Sequence, residues 1–320
     1  MKSSQQGVAL ITAMLIMAII ATLATSLALG QQVWLRQTQN LADLAQAERV
    51  RQGAYEYAAA VLLRDEKNSQ TNKSDNLQEA WAQTIPPLPV EGGFVLIKIR
   101  DAQARFNLNN LVQQGKRNSN PADINILRNL LAQKNFSPDL VNRLIDWMDE
   151  NPILEPGGAE DLEYLNLDPP YRAANQPLRS VDELRLVKDF TADVIRELAE
   201  LVVVLPNYQP INVNTADAGV LAALLNINES QAKQLVQARE TAPVDDKNNV
   251  PKLLPANTQL NANSYDVKSK YFIVTVETRI GRIARKTEAL IERSSGSNAS
   301  ASVLWYRQPP IPITIDEDKS

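Results

Sequence analysis

The sequence contains no cysteine and no histidine. Without cysteine there is no disulfide framework, no thiolate nucleophile and no sulfur-ligated metal. Without histidine the usual general base near neutral pH is missing. Ser-His and Cys-His catalysis are excluded, as are His-ligated zinc and the common iron sites. A bound metal must sit on oxygen, which points to calcium or magnesium. Carboxylate-only catalysis survives. Charge of one sign is also lacking: the net charge is −4, so no global field attracts nucleic acid or anionic lipid. What remains is a chain of 320 residues, 22% charged and 44% hydrophobic, enough for a folded protein of one or two domains with a sizeable core.

Charge is absent altogether between Lys2 and Arg36. A short polar leader, Met-Lys-Ser-Ser-Gln-Gln-Gly, precedes an apolar run from Val8 to Leu29 that is long enough to cross a hydrocarbon core of roughly 30 Å as a helix. Lys2 on the short flank places the N-terminus in the cytoplasm and the remainder across the membrane. A plain signal anchor fits this pattern. So does a cleaved secretory signal, for which Ser26-Leu27-Ala28 offers a small-x-small site. A third reading is a leader cut between Gly7 and Val8, with the apolar helix retained. The following segment favours retention. From Gln31 to Leu63 there is no proline, and Leu41, Leu44, Tyr55, Ala58 and Leu62 recur at helical spacing. The pattern predicts one helix over 8–63, membrane-spanning over 8–30, and roughly 80 Å long at 1.5 Å per residue.

Beyond it, Arg64 to Asp75 reads as a loop and Asn76 to Thr84 as a short helix. Phe94 to Arg100 reads as a strand, with Ala104 to Leu108 a candidate partner. From about Asn110 the pattern turns helical. Ile124, Leu127, Leu130 and Leu131 share one face, Ser180 to Glu183 forms a capping box, and Thr191 caps a helix predicted to reach Val204. Strands return over Tyr271–Thr278, Arg282–Arg293 and Ser302–Tyr306. Strands that flank a helical block imply an inserted subdomain. The expected organisation is a leader 1–7, the helix 8–63, an α/β domain from 64–109 and 262–308, a helical insert 110–261, and a loose tail 309–320.

Two segments of the insert suggest chemistry. Ile211-Asn212-Val213-Asn214-Thr215-Ala216 opens a pair of helices over 211–241 similar to the helix-hairpin-helix modules of DNA-binding proteins. Those modules need a glycine hairpin to approach a phosphate closely, and here the hairpin is Leu225-Asn226-Ile227-Asn228. Lys233 and Arg239 are offset by Glu229 and Glu240. Phosphate binding needs several unopposed cations, so no nucleic-acid partner is expected and a packing module is. The second segment, Asp146 to Asp161, concentrates oxygen donors. Counted from Asp149, the residues Asn151, Ile153, Glu155 and Glu160 fall at EF-hand offsets, but Leu154 stands where an EF-hand needs glycine. The expectation is an irregular calcium loop drawing on Asp149, Asn151, Glu155, Glu160, Asp161 and Asp168, set against a merely solvated acidic loop. A glycosidase-like carboxylate pair would need a cleft rich in aromatics, and no such signal accompanies these acids.

The run from Ile145-Asp146-Trp147 through Gly157-Gly158-Ala159-Glu160-Asp161, with Leu167-Asp168-Pro169-Pro170-Tyr171-Arg172, Ala174-Asn175-Gln176-Pro177 and Val181-Asp182-Glu183-Leu184, closely resembles the K-type minor pseudopilins of type II secretion. The leader and Ile211 to Ala216 add to the likeness, which spans nearly the whole chain. The resemblance implies an α+β fold: a type IV pilin-like long N-terminal helix with an antiparallel sheet, interrupted by a large α-helical insert. It implies cleavage by the prepilin peptidase after Gly7, N-methylation of Val8, calcium in the insert, and no enzymatic activity. Major pilins and pseudopilins carry glutamate at the fifth mature residue, where it is thought to meet a neighbour's N-terminal amine. Counted from Val8, that residue is the neutral Thr12, a departure that K-type proteins share. A carboxylate at the bilayer centre costs about 2.5–3.5 kcal/mol on insertion scales, and a subunit at a filament's end lacks the neighbour that would offset it.

The expected role is therefore a filament-tip subunit in the inner membrane, single-pass, with its C-terminal part in the periplasm. It would start assembly with the I-type and J-type minor pseudopilins. Other pseudopilins, the inner-membrane assembly platform, the secreted substrate or the secretin would be further partners. A membrane-anchored helix-hairpin-helix protein that handles DNA is the competing reading, and a carboxylate-dependent hydrolase the third.

Overall fold

The computed structural model describes residues 4–68, 73–113, 116–117, 121–254, 260–296 and 298–308. The tail expected at 309–320 and the first three leader residues lie outside them. One continuous helix, α1, runs from Ser4 to Lys67, roughly 95 Å at 1.5 Å per residue. It extends beyond the expected end at Leu63. Arg64 and Lys67 in its last turn complement the negative end of the helix dipole. Every residue from Val8 to Ala42 is exposed. Packing begins with the half-buried Asp43 and Leu44, Ala47 is the first fully buried residue, and Ala54, Tyr55, Ala58 and Leu62 then lie buried along one face. Leu41, expected on that face, is exposed.

That face rests on a five-stranded antiparallel sheet of strands β1 (Leu88–Val90), β2 (Gly93–Asp101), β3 (Tyr271–Ile280), β4 (Ile283–Arg293) and β5 (Ala301–Arg307), in that spatial order. Alternation divides β3 between two layers. Phe272, Val274 and Val276 pack with α1, Val95, Ile97 and Ile99. Tyr271 and Ile273 face the other way, onto Ala102, Val203 and Leu205. Strands β2 and β3 run so close that a Cβ at Gly93 would stand 1.7 Å from the Arg279 carbonyl oxygen.

Two local expectations fail. Asn76 to Thr84 forms turns, because the Asn76 side chain accepts the Gln78 N–H at 3.0 Å and Glu79 accepts that of Asn76 at 3.2 Å. These bonds compete with a helical ladder. They leave Trp81 buried edge-on against Phe272, with ring centroids 5.1 Å apart. Ala104 to Leu108 does not join β2. Asp101 accepts the Gln103 N–H and turns the chain into a short 3-10 segment, Ala102–Ala104. Phe106–Asn107 then pairs in parallel with Val202–Val203, which also ends the helix at Thr191 early. That helix covers only Ala192–Leu198.

The sheet thus breaks off at Asp101 and resumes at Tyr271, outside the expected limits of 110 and 261. Between them lies a separate apolar core from Phe106 to Val267. It is built on helices α2 (Pro121–Gln133), α3 (Leu140–Met148), α4 (Asp161–Leu165), α5 (Ala192–Leu198), α6 (Ala218–Leu225) and α7 (Glu229–Thr241).

A buried polar network joins α1, sheet and insert. Arg293, at the end of β4, is 2% exposed. Its guanidinium donates to Asp65 of α1 at 2.8 Å, to Asp75 at 2.5 Å and to the Ser269 carbonyl at 2.9 Å. Asp75 in turn accepts the Ser269 N–H at 2.6 Å. The Ser269 hydroxyl donates to Asp101 at 2.6 Å. Removing one member of a buried ion pair leaves the others charged and unpaired, at a cost of about 3–5 kcal/mol. Arg293→Ala is expected to lose about that much, measured by chemical denaturation of the full chain in detergent. Arg293→Lys should recover only part of it, because an ammonium cannot make the forked contacts.

Candidate functional site

Three places carry the sequence-based expectations. The first is the exposed half of α1. Its large apolar residues from Val8 to Leu35 are all exposed, and it is long and apolar enough to cross a membrane. Gly7 lies within the helix and Val8 is 62% exposed. The Thr12 hydroxyl lies 3.1 Å from the Val8 carbonyl and 3.0 Å from that of Ala9. Thr22 and Thr25 donate similarly within the helix. The hydroxyl donors of these residues need no partner outside their own helix. An apolar surface without unmet polar groups can lie against lipid or against like helices.

The second place is the acidic segment. Asp146 and Asp149 occupy the end of α3, and both are fully buried. That is the negative end of a helix, where carboxylates are disfavoured. Asp146 accepts the Ala159 N–H at 2.9 Å and that of Glu155 at 3.3 Å. The loop can close this tightly only at glycine: a Cβ at Gly158 would stand 1.9 Å from an Asp146 oxygen. Gly157 beside it has φ +72, open to glycine. Glu160 presents a buried Oε1 with no hydrogen-bond partner. Burial, then the charges of Asp146 and Asp149, push its carboxyl up to about 7. Burial likewise raises Asp146 to about 6, with Asp149 and Glu155 adding repulsion.

Glu160 thus lies in the fields of Asp146 and Asp149, and Asp146 in those of Asp149 and Glu155. The remaining expected ligands are otherwise placed. Asn151 donates to Asp149 at 2.7 Å and accepts the Ile153 N–H at 2.8 Å. Asp161 receives Arg172 at 2.9 Å and the Ala173 N–H at 3.0 Å. Asp168 is exposed beyond α4. The sequence reading left Asp146 out of the ligand set, although its spacing of three from Asp149 puts the two on one helix face. The tyrosines of the motif pack around Trp147: Tyr164 at 5.0 Å and Tyr171 at 6.1 Å between ring centroids.

The third place is the Ile211 to Ala216 segment. Its polar side chains turn inward. Asn212 is fully buried and donates to the Asp75 carbonyl at 3.1 Å, Asp101 at 3.0 Å and the Ser269 hydroxyl at 2.9 Å. Thr215 donates to Asp101 at 2.5 Å. Asn214 exchanges two hydrogen bonds of 2.9 Å with the backbone of Val244. Of the two cations in the helix pair, Lys233 bonds Glu229 at 2.7 Å. Arg239 is buried and donates to the Val213 carbonyl. The segment is a clamp between insert and sheet.

Asp101 is the anion of this clamp. Burial raises its carboxyl to about 6, against three hydroxyl and amide donors that favour the charged form. The folded chain then holds a proton that an unfolded aspartate, near 3.8, has released. Stability is expected to fall as pH rises from about 4 to about 6 and to level off above. Asp101→Asn should shrink that fall, read as the change in denaturant midpoint between about pH 4.5 and 6.5.

Comparison with known proteins points one way. A family model described as "Type II secretion system (T2SS), protein K" matches residues 104–207, and a second of the same description matches residues 211–268. A Type II secretion system protein K from Pseudomonas aeruginosa is 39% identical, over 99% of this chain and 98% of its own. Its counterpart from Klebsiella pneumoniae is 33% identical, over 92% of this chain and 94% of its own. Among solved structures, the GspK-GspI-GspJ complex from the enterotoxigenic Escherichia coli type 2 secretion system contains a chain that superposes with a TM-score of 0.74. That chain is 28% identical, and the match covers 85% of this chain and 99% of the solved one.

Proposed function

The chain belongs to the type II secretion system protein K family, and on that premise we propose that it is the minor pseudopilin that caps the periplasmic pseudopilus, with the I- and J-type minor pseudopilins as its partners. The observation that carries this reading is the division of α1. Its first half, from Val8 to Ala42, buries nothing within the chain. Its second half is fastened to a sheet. An apolar helix without an intramolecular partner is an assembly element, in lipid before assembly and among other helices after it. Leu, Ile and Met along it supply the knobs for such packing.

Thr12 supports a place at the end of the filament. Its hydroxyl donates within the helix, so it neither needs nor offers a charge for the next subunit's amine. The insert supports the same place. A unit of this bulk on every subunit would crowd a helical array, and a single copy at the tip would not. From the tip the chain would prime assembly and support export of folded proteins across the outer membrane. The solved GspK-GspI-GspJ complex supports the choice of partners for this homologue.

Two measurements test the proposal. Mass spectrometry of the chain purified from the membrane should find a mature protein that begins at N-methylated Val8. A start at Leu29 would mean secretory cleavage and refute it. Co-purification with the I and J partners in detergent should give a ternary complex. Salt-sensitive binding of duplex DNA without that complex would favour the DNA-handling alternative instead.

The insert is also proposed to hold calcium. Donor chemistry supports it: hard oxygens only, two carboxylates buried at a helix's negative end, and an unpartnered Glu160 oxygen in their field. Asp146, Asp149, Glu155 and Glu160 would hold the ion, which would neutralise charge that the fold otherwise concentrates. Calcium is expected to raise the melting temperature of the full chain in detergent. Glu160→Gln should lose most of that rise while changing the metal-free melting temperature little or upward. Unchanged calcium response in this variant would remove the site.

A further inference from the structure

We propose that Asp65, Asp75 and Glu79 form a second hard-cation site of the calcium class, outside the insert, where the long helix ends. Asp65 stands in the last turn of α1, while Asp75 and Glu79 belong to the connecting segment that follows. One oxygen from each lies within 4.8 Å of the other two. Oxygens that share a calcium ion at 2.3–2.6 Å are separated by no more than about 5 Å, so the spacing suits one ion.

An independent observation points to a missing partner. Glu79 is only 8% exposed. Its Oε2 accepts the Trp81 indole N–H at 2.6 Å and the Asn76 N–H at 3.2 Å. Its Oε1 is buried with no hydrogen-bond partner at all. A buried carboxylate oxygen left in this state is costly unless something positive meets it.

Charge counting gives the same answer. Asp65, Glu66, Asp75 and Glu79 gather here, and among the described residues the one cation that pairs with them is Arg293. Its Nη1 serves Asp65 and its Nη2 serves Asp75, while its Nε stands 3.7 Å from Glu66. Glu79 forms no ion pair with it among the described residues. The end of α1 adds the negative pole of a helix to the excess. Each carboxylate has about four acceptor directions. Asp65 and Asp75 can therefore bond the guanidinium and still offer an oxygen to an ion. Calcium suits this irregular carboxylate set better than magnesium, which demands near-octahedral geometry and keeps several waters.

The ion would tie the end of the assembly helix to the connecting segment and, through Asp75 and Arg293, to the sheet. It is separable from the proposed insert site by mutation. In a Glu160→Gln background, the full chain in detergent should still take up about one calcium by isothermal titration. Terbium bound in its place should luminesce on excitation of tryptophan, because Trp81 touches Glu79. Adding Glu79→Gln should weaken calcium binding at least tenfold, in the range typical of lost ligand-shell contacts, and abolish the terbium signal. The metal-free melting temperature should hold or rise, because an unmet charge is removed. Trp81→Phe is the second variant: it should dim the terbium signal several-fold and leave calcium uptake intact. Calcium uptake unchanged by Glu79→Gln, absent in the Glu160→Gln background, or terbium luminescence indifferent to Trp81→Phe would each overturn the site.

Discussion

The architecture depends on one buried guanidinium. Arg293 is placed by the last residue of β4, yet the groups it binds come from the end of α1, from the connecting segment and from the strand of chain that leaves the insert. The cost of desolvating so many charges is large, and ion pairs in such settings rarely add net stability. What the arrangement supplies is register. A helix fastened along small residues, with Leu62 and Tyr55 as its large buried anchors and Tyr55 bonding Thr287 at 2.7 Å, gains a second fixed point at its end. It cannot slide on the sheet by a turn while Asp65 must meet a fixed fork. The same network extends through Asp75 and Ser269 to Asp101, Asn212 and Thr215. The orientation of the insert on the sheet is thus set by the contacts that fix the helix. Force applied along α1 would reach the insert through hydrogen bonds of 2.5–3.1 Å.

Much of this was legible in the residue pattern, for identifiable reasons. The long helix announces itself through an uncharged apolar run followed by helical spacing without proline. The cap at Thr191 is local, and its side chain accepts the expected N–H. The interruption of the sheet follows from strands that appear on both sides of a helical block. Misreadings arose where a side chain, rather than a periodic pattern, decides the backbone. Asn76 and Asp101 each capture an N–H two residues on, and so turn segments whose composition alone suggests a helix and a strand.

The acidic segment shows the same limit. Counting offsets from Asp149 finds acids that are near in sequence. It overlooks Asp146, which only the fold brings against Gly158. Nor can it show that Asn151 also shapes the loop and that Asp161 also holds Arg172. Glu79 is less accessible still to such reading. Its surroundings are assembled from α1 and a connecting segment, and only the fold shows that an oxygen there is left unmet. The helix-hairpin-helix likeness is the instructive reverse: the polar residues that would signal a ligand are spent internally on Asp101 and Val244.

The points at which the insert leaves and rejoins the sheet are paired residues, Asp101 on β2 and Phe272 on β3. Without it, β1 to β5 would form a meander in which each strand is hydrogen-bonded to the next in sequence. The insert stands where a simple hairpin turn would serve. For an unfolded chain, closing so long a loop before β2 can meet β3 carries an entropy cost that grows with the logarithm of its length. A prefolded insert whose two ends already lie side by side shortens that loop to the size of a turn. The order of events then favours the insert, and the sheet with its helix can zip shut around a finished plug.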